Sequence, residues 1–185
     1  MRDLQLPGRS PVHAPRAMAS TSHPLATSAA LDILRRGGNA VDAAIAAVAV
    51  HCVVEPGMTS IGGDCFCLYA PHGSTTPIAL NGSGRAPQAL SDEWLISRGI
   101  TKIEQQSPHA VTVPTAIDAW LRLNQDHGRK SMAEILENAI YYAENAYPVA
   151  QRVGFDWSDM APLLGGDPDT AATFLDAGKP FVQGQ

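Results

Sequence analysis

The sequence predicts a layered α+β fold in which helices cover a sheet, and three observations predict it. Two helical patterns run back to back before any strand pattern, and further helical patterns follow the strands. From Ala40 to Val53 almost every residue is small and apolar, and a helix that is apolar all round is buried all round. Between the helices lie two or three short strand patterns, too few to cover so many apolar helical faces. The sheet is therefore expected to be incomplete, with its remaining strands supplied from elsewhere.

Residues 1–17 are Pro-rich and aperiodic and read as an N-terminal arm; residues 18–185 read as one folded portion of a domain. Ser22 is expected to cap the first helix, whose first turn tolerates Pro24. Leu25, Ala29, Ile33 and Leu34 recur at helical spacing, and Gly37 and Gly38 end the helix. Asn39 is a natural N-cap for the second helix, with Asp42 in its first turn, where the helix dipole favours an acid. After Pro56 and Gly57 the period changes to that of strands. Cys65–Ala70 and Pro77–Leu80 are expected as strands joined by a turn at His72-Gly73-Ser74. Ser91 starts a short helix. Ala110–Val113 is a brief extended piece, and Pro114 opens a helix to about Asp126. Ser131-Met-Ala-Glu134 is a capping box for a helix reaching about Asn145. Beyond Pro148 the pattern weakens to short helical pieces, and no closing element is apparent.

Composition narrows the function. A formal net charge of -5, with 13 Lys and Arg residues in no run longer than Arg35-Arg36, argues against a nucleic-acid footprint. The most apolar run, Ala40–Val54, contains Asp42 and His51 and is shorter than the roughly 20 residues a membrane span requires. Met1–Arg16 has no apolar core of signal-peptide length, so the expected location is cytoplasmic, or periplasmic if a leader has been removed. Three cysteines, Cys52, Cys65 and Cys67, make no disulfide framework. Cys65 and Cys67 share one side of a strand and read as small buried core residues rather than zinc ligands, since no nearby Cys or His completes a set of four. No metal and no cofactor is implied.

A series of motifs carries a family resemblance. Ala19-Ser-Thr-Ser-His-Pro-Leu-Ala26 is followed by Leu31-Asp-Ile-Leu-Arg-Arg-Gly-Gly-Asn-Ala-Val-Asp-Ala-Ala44. Ile61-Gly-Gly-Asp-Cys-Phe66, Gly84-Arg-Ala-Pro87, Ala110-Val-Thr-Val-Pro114 and Glu134 to Pro148 then come in order. This succession resembles the N-terminal region of the γ-glutamyltransferase family over about residues 17–150. The resemblance implies an αββα N-terminal nucleophile hydrolase sandwich, incomplete without its C-terminal half. It also implies a precursor that cleaves itself before a threonine, whose hydroxyl then attacks a γ-glutamyl amide such as glutathione with its own α-amino group as base. Nothing after Pro148 resembles the cleavage-site segment, and Thr112, Thr115, Thr170 and Thr173 lack its flanking pattern. No catalytic residue is therefore assigned within the chain. The C-terminal half of the same precursor and a small γ-glutamyl or related acyl amide are the partners implied.

The substrate-binding candidates are Arg85, Ser83 and Asp64. In the transferases, by resemblance, an arginine before an Ala-Pro pair forks onto the substrate α-carboxylate, a task suited to the planar guanidinium. That arginine stands three residues before the Ala, where this sequence has Ser83; Arg85 directly precedes Ala86. Two residues along an extended segment displace a side chain by about 6.6 Å. Arg85 thus reaches the carboxylate by another route or is structural. The Gly-Ser-Gly-Arg-Ala-Pro form and Asp64 after Gly62-Gly63 resemble the γ-glutamyltransferase-like branch. Some of its members are similar to cephalosporin or glutaryl acylases, which is the alternative reading, beside a truncated non-catalytic paralogue. Asp64 binds an amino group or caps a turn, and Gly62-Gly63 reads as a turn more readily than as a source of oxyanion donors. His23 reads as a capping or packing residue, His51 as a hydrogen-bonded core histidine, and Trp94, Trp120 and Trp157 as packing residues. Glu104, Glu134, Glu137 and Glu144 are expected on solvated faces.

Overall fold

The computed structural model describes residues 11–104 and 106–185. Most of the N-terminal arm, residues 1–10, lies outside the described residues, and residues 11–17 are exposed without helix or strand. Helices α1 (Pro24–Arg35) and α2 (Ala40–Val54) come first, then strands β1 (Cys65–Tyr69) and β2 (Ile78–Gly82). Helices α3 (Asp92–Ser97), α4 (Ala116–His127), α5 (Met132–Asn145), α6 (Gln151–Leu164) and α7 (Pro168–Phe174) follow, with one 3-10 turn at Pro108–Ala110.

α2 is the centre of the molecule. It packs against α1, α5 and α4, and ten of its fifteen residues are buried, as the all-round apolar sequence predicts. Ile33 of α1, Val50 and Val54 of α2, Trp120 and Leu123 of α4 and Ile135 of α5 complete the main core. α2 begins at a capping box: the Asn39 side chain accepts from the Asp42 N–H while Asp42 accepts from the Asn39 N–H at 2.8 Å. Asp42 does more than cap. Fully buried, it also accepts the backbone N–H groups of Arg129 at 3.0 Å and Lys130 at 3.3 Å, and the Asn124 amide at 3.4 Å. One carboxylate thus ties the start of α2 to the α4–α5 connection. A second capping box, Ser131 with Glu134, starts α5. There the Ser131 backbone and side chain and the Lys130 ammonium hold the Glu134 carboxyl down at about 2.

β1 and β2 form an antiparallel hairpin in which Cys65 faces Gly82, Cys67 faces Leu80 and Tyr69 faces Ile78. Directly opposed residues share a face. Cys65, Cys67, Tyr69 and Leu80 therefore lie together on the helices, while Phe66 and Leu68 on the reverse face are 69% and 78% exposed. One face of the sheet is covered and the other is bare. That arrangement also corrects the cysteine reading: Cys65 and Cys67 are half-buried against the core rather than enclosed, because only helices cover them.

Two further expectations are corrected. The α1 cap is His23, whose Nδ1 accepts from the Leu25 N–H at 3.1 Å; the Ser22 hydroxyl is drawn away to Glu55. Beyond Pro148 the chain forms a fourteen-residue helix, α6, rather than short pieces. Gly154 and Pro162 interrupt its apolar pattern, and both have local reasons. A side chain at Gly154 would approach the Gln183 N to 3.0 Å, and Pro162 falls in the last turn. α6 builds a second small core from Val149, Val153 and Trp157, on which Phe174 and Phe181 pack. The last residues are tied back, with the Val149 N–H donating to the Gln185 carbonyl and the Gly184 N–H to the Val149 carbonyl.

Candidate functional site

The exit of β2 brings the sequence candidates together. Gly82 ends the strand, and Ser83, Gly84 and Arg85 continue it between two other segments: the turn that leads into β1 and the extended piece 111–114. Their approach is backbone to backbone. A Cβ at Gly84 would overlap the Val113 carbonyl, and one at Gly82 would lie 2.7 Å from the Cys65 carbonyl and 2.8 Å from the Ala119 methyl. The Gly-x-Gly spacing is therefore required by contact on both sides. The Val113 N–H donates to the Arg85 carbonyl at 3.0 Å, and the Thr115 hydroxyl donates to the Gly82 carbonyl at 2.6 Å.

Asp64 stands at the head of β1. Its Oδ1 accepts the Gly84 N–H at 2.9 Å and the Thr112 hydroxyl at 3.3 Å, and its Oδ2 accepts the Ser83 hydroxyl at 3.3 Å. Asp64 and Ser83 are thus bonded to each other, and Arg85 is two residues on. Arg85 is exposed, and among the described residues its guanidinium makes no ion pair. The turn before Asp64 is closed by its own groups: the Gly62 N–H donates to the Ser60 hydroxyl at 3.0 Å, and the Gly63 carbonyl accepts the Thr115 and Ala116 N–H groups that open α4. The turn reading of Gly62-Gly63 fits this bonding.

Three of the four threonine hydroxyls named above are engaged in structure. Thr112 bonds Asp64, Thr115 bonds Gly82, and Thr173 bonds the Asp169 carbonyl. The cysteines are unsuited to attack as well: burial pushes the thiols of Cys52, Cys65 and Cys67 above their usual range, whereas a nucleophilic thiol needs the opposite shift. Among the described residues no group of three or more His, Cys, Asp and Glu is placed to hold a metal ion, and no helix is long and apolar enough to cross a membrane.

A second polar cluster lies where α1 begins and α2 ends. Glu55, buried, accepts the Ser22 hydroxyl at 2.6 Å, and His51 Nδ1 lies 2.7 Å from the same carboxylate oxygen. The histidine approach is close but poorly aligned for a hydrogen bond. His23 sits beside both, its Nε2 buried without a hydrogen-bond partner. Burial pushes the His23 imidazole below the ordinary histidine value, Glu55 pulls it up, and His51 pushes it down. Sequence reasoning gave His23 its capping role and placed His51 in the core, but it expected His51 to be hydrogen-bonded, whereas its Nδ1 makes no hydrogen bond; it missed Glu55 and the part played by Thr112. Neither stands in a local pattern; each meets its partner only through the fold.

The helices and the two-stranded sheet with its bare outer face form part of an αββα N-terminal nucleophile hydrolase sandwich, as the comparisons with known proteins show. The gamma-glutamyltranspeptidase family model matches residues 26–185, and the chain belongs to that family. It is 36% identical over 171 residues to the glutathione hydrolase-like YwrD proenzyme of Bacillus subtilis, covering 92% of this chain and 32% of that protein. The cephalosporin acylase structure from Bacillus halodurans superposes with a TM-score of 0.81 at 34% identity, over 98% of this chain and 36% of that one. The Helicobacter pylori γ-glutamyltranspeptidase structure superposes with a TM-score of 0.86 over 95% of this chain and 51% of that one; at 23% identity it speaks for the fold alone. The chain spans about a third of the length of the curated relatives it matches.

Proposed function

We propose that this chain is the N-terminal region of a γ-glutamyltransferase-like proenzyme that hydrolyses or transfers the acyl group of γ-glutamyl amides such as glutathione. The observation that carries the reading is Arg85: an exposed guanidinium without an ion pair among the described residues, on a segment fixed from both sides. A fixed guanidinium is suited to hold the α-carboxylate of an acyl donor in a bidentate fork. Ser83, bonded to Asp64, borders the same exit.

The nucleophile is assigned to the C-terminal half of the precursor. There the hydroxyl of an N-terminal threonine attacks the amide carbonyl, and its α-amino group takes the proton. The proton passes to the departing amine as the C–N bond breaks, leaving an acyl ester. Water or an acceptor amine then attacks the ester and releases the threonine. This region contributes helices, two strands and the carboxylate-binding part of the pocket. The exposed Phe66 and Leu68 are where the second layer would pack.

The assay is γ-glutamyl-p-nitroanilide hydrolysis by the 185-residue chain alone and by the assembled proenzyme. The expected result is turnover only with the assembled protein, accompanied by a second polypeptide that begins with threonine. Turnover by the chain alone would refute the placement of the nucleophile. A second reading, a cephalosporin or glutaryl acylase, is favoured by Ser83 at the position where the transferases carry arginine and by the likeness to the Bacillus halodurans cephalosporin acylase. It predicts faster hydrolysis of glutaryl than of γ-glutamyl amides.

A further inference from the structure

Asp64, at the head of β1, is bonded to the strand exit that carries Arg85, yet among the described residues the two are not paired. An aspartate beside an arginine ordinarily captures it, and a guanidinium so captured is poorly available to a substrate carboxylate. Here the Asp64 carboxylate is occupied otherwise. The Gly84 N–H at 2.9 Å and the Thr112 and Ser83 hydroxyls at 3.3 Å each donate to it. An ionised carboxylate offers about four lone-pair sites, and three of them are taken by neutral donors.

Those donors come from two segments. Gly84 and Ser83 belong to the strand exit that carries Arg85, and Thr112 to the extended piece that also hydrogen-bonds the Arg85 carbonyl through the Val113 N–H at 3.0 Å. Asp64 thus bonds to both segments through its side chain, and it holds the exit immediately before Arg85. Being anionic, it would repel a substrate carboxylate brought close to it.

We propose that Asp64 is a positioning residue: it does not bind the acyl donor but anchors the 83–85 segment through neutral donors, so that the Arg85 guanidinium is held in place and left free for the donor's carboxylate. This rests on the reading of Arg85 as the carboxylate-binding group. Three consequences separate the role from direct binding or from general support of the fold. Loss of Asp64 acts on KM rather than kcat. It acts only on donors that carry the carboxylate. Asparagine, whose amide oxygen still accepts the Gly84 N–H, restores much of the function.

The test uses the assembled proenzyme with two donors, γ-glutamyl-p-nitroanilide and 4-aminobutyryl-p-nitroanilide, which lacks only the α-carboxylate. Asp64→Ala is expected to raise KM for the first about 10-fold with kcat within about 2-fold, and to leave KM for the second unchanged. Asp64→Asn is expected to raise it less than about 3-fold. Thr112→Val, which removes one donor without altering the turn, is expected to shift KM for the first donor in the same direction by about 3-fold, and it serves if Asp64→Ala fails to assemble. An unchanged KM, an equal rise for both donors, or a loss confined to kcat would overturn the proposal. Arg85→Ala in the same assay separates the two claims. If it raises KM for γ-glutamyl-p-nitroanilide while the Asp64 and Thr112 variants do not, the positioning role fails and the Arg85 reading stands. If it leaves KM unchanged, the Arg85 reading itself fails, and the positioning role with it.

Discussion

Asp42 and Asp64 perform the same chemistry in two regions of unlike character. Each gathers donors from segments distant in sequence: Asp42 from Arg129, Lys130 and Asn124, Asp64 from Ser83, Gly84 and Thr112. Asp42 does so at the centre of the helical layer, with no exposure to water. Asp64 does so at the exposed end of a two-stranded sheet whose outer face is bare. The difference teaches which of the two holds the fold. A buried carboxylate with backbone partners cannot be removed without leaving N–H groups unpaired away from water, whereas water can replace an exposed one. Asp42 therefore secures the layer, and Asp64 secures only the local geometry of a segment.

The comparison is broken most readily by stability measurements. Asp42→Ala is expected to cost about 4 kcal/mol, because it removes a fully buried carboxylate that accepts N–H groups at two helix connections. Asp64→Ala should cost less than about 1 kcal/mol, since its partners can turn to water. Urea denaturation followed by circular dichroism reads both, and equal losses would end the distinction.

A smaller effect tests the other buried polar cluster. His23 caps α1 with its unprotonated Nδ1, and burial has lowered its affinity for a proton. The unfolded chain then binds more protons than the folded one, so this contribution is complete above about pH 6.5 and falls as the pH drops below it. Thermal midpoints at pH 7.5 and 5.5 should differ less in His23→Asn than in the unchanged chain, because asparagine keeps an acceptor for the Leu25 N–H but does not titrate. An undiminished difference would remove His23 from the account.

The smallest effect is expected at Glu134, which occupies the same capping-box position in α5 that Asp42 occupies in α2. Its carboxyl is held at about 2 against an ordinary value of 4.5. Its contribution is thus present above pH 4.5 and lost as the pH falls toward 2. Protection of the first-turn amides of α5, taken relative to their intrinsic exchange, should fall over that range, and Glu134→Gln should flatten the change. A first turn equally protected throughout would contradict it.

The helical layer was legible in the sequence because its signals are local. Asn39 with Asp42, Ser131 with Glu134 and the apolar run of α2 each announce themselves within a few residues. α6 was not, since Gly154 and Pro162 break its pattern for reasons of contact and position. The site was legible only as a set of names. Arg85, Ser83 and Asp64 could be singled out by motif and resemblance, but the partners that define Asp64 could not. A backbone N–H at Gly84 carries no side-chain signature, and Thr112 lies 48 residues away. Glu55 was invisible for the same reason, its contact with Ser22 spanning 33 residues. An incomplete sheet was expected, because two or three strands cannot cover so many helical faces; the bare outer face was visible only in the structure.

The central claim is that the strand exit after β2 presents Arg85 to the carboxylate of an acyl donor. The direct test is KM for γ-glutamyl-p-nitroanilide in the assembled proenzyme carrying Arg85→Ala. A rise of about 10-fold or more is expected, with no change for 4-aminobutyryl-p-nitroanilide. A KM for the γ-glutamyl donor equal to that of the unchanged protein would contradict it.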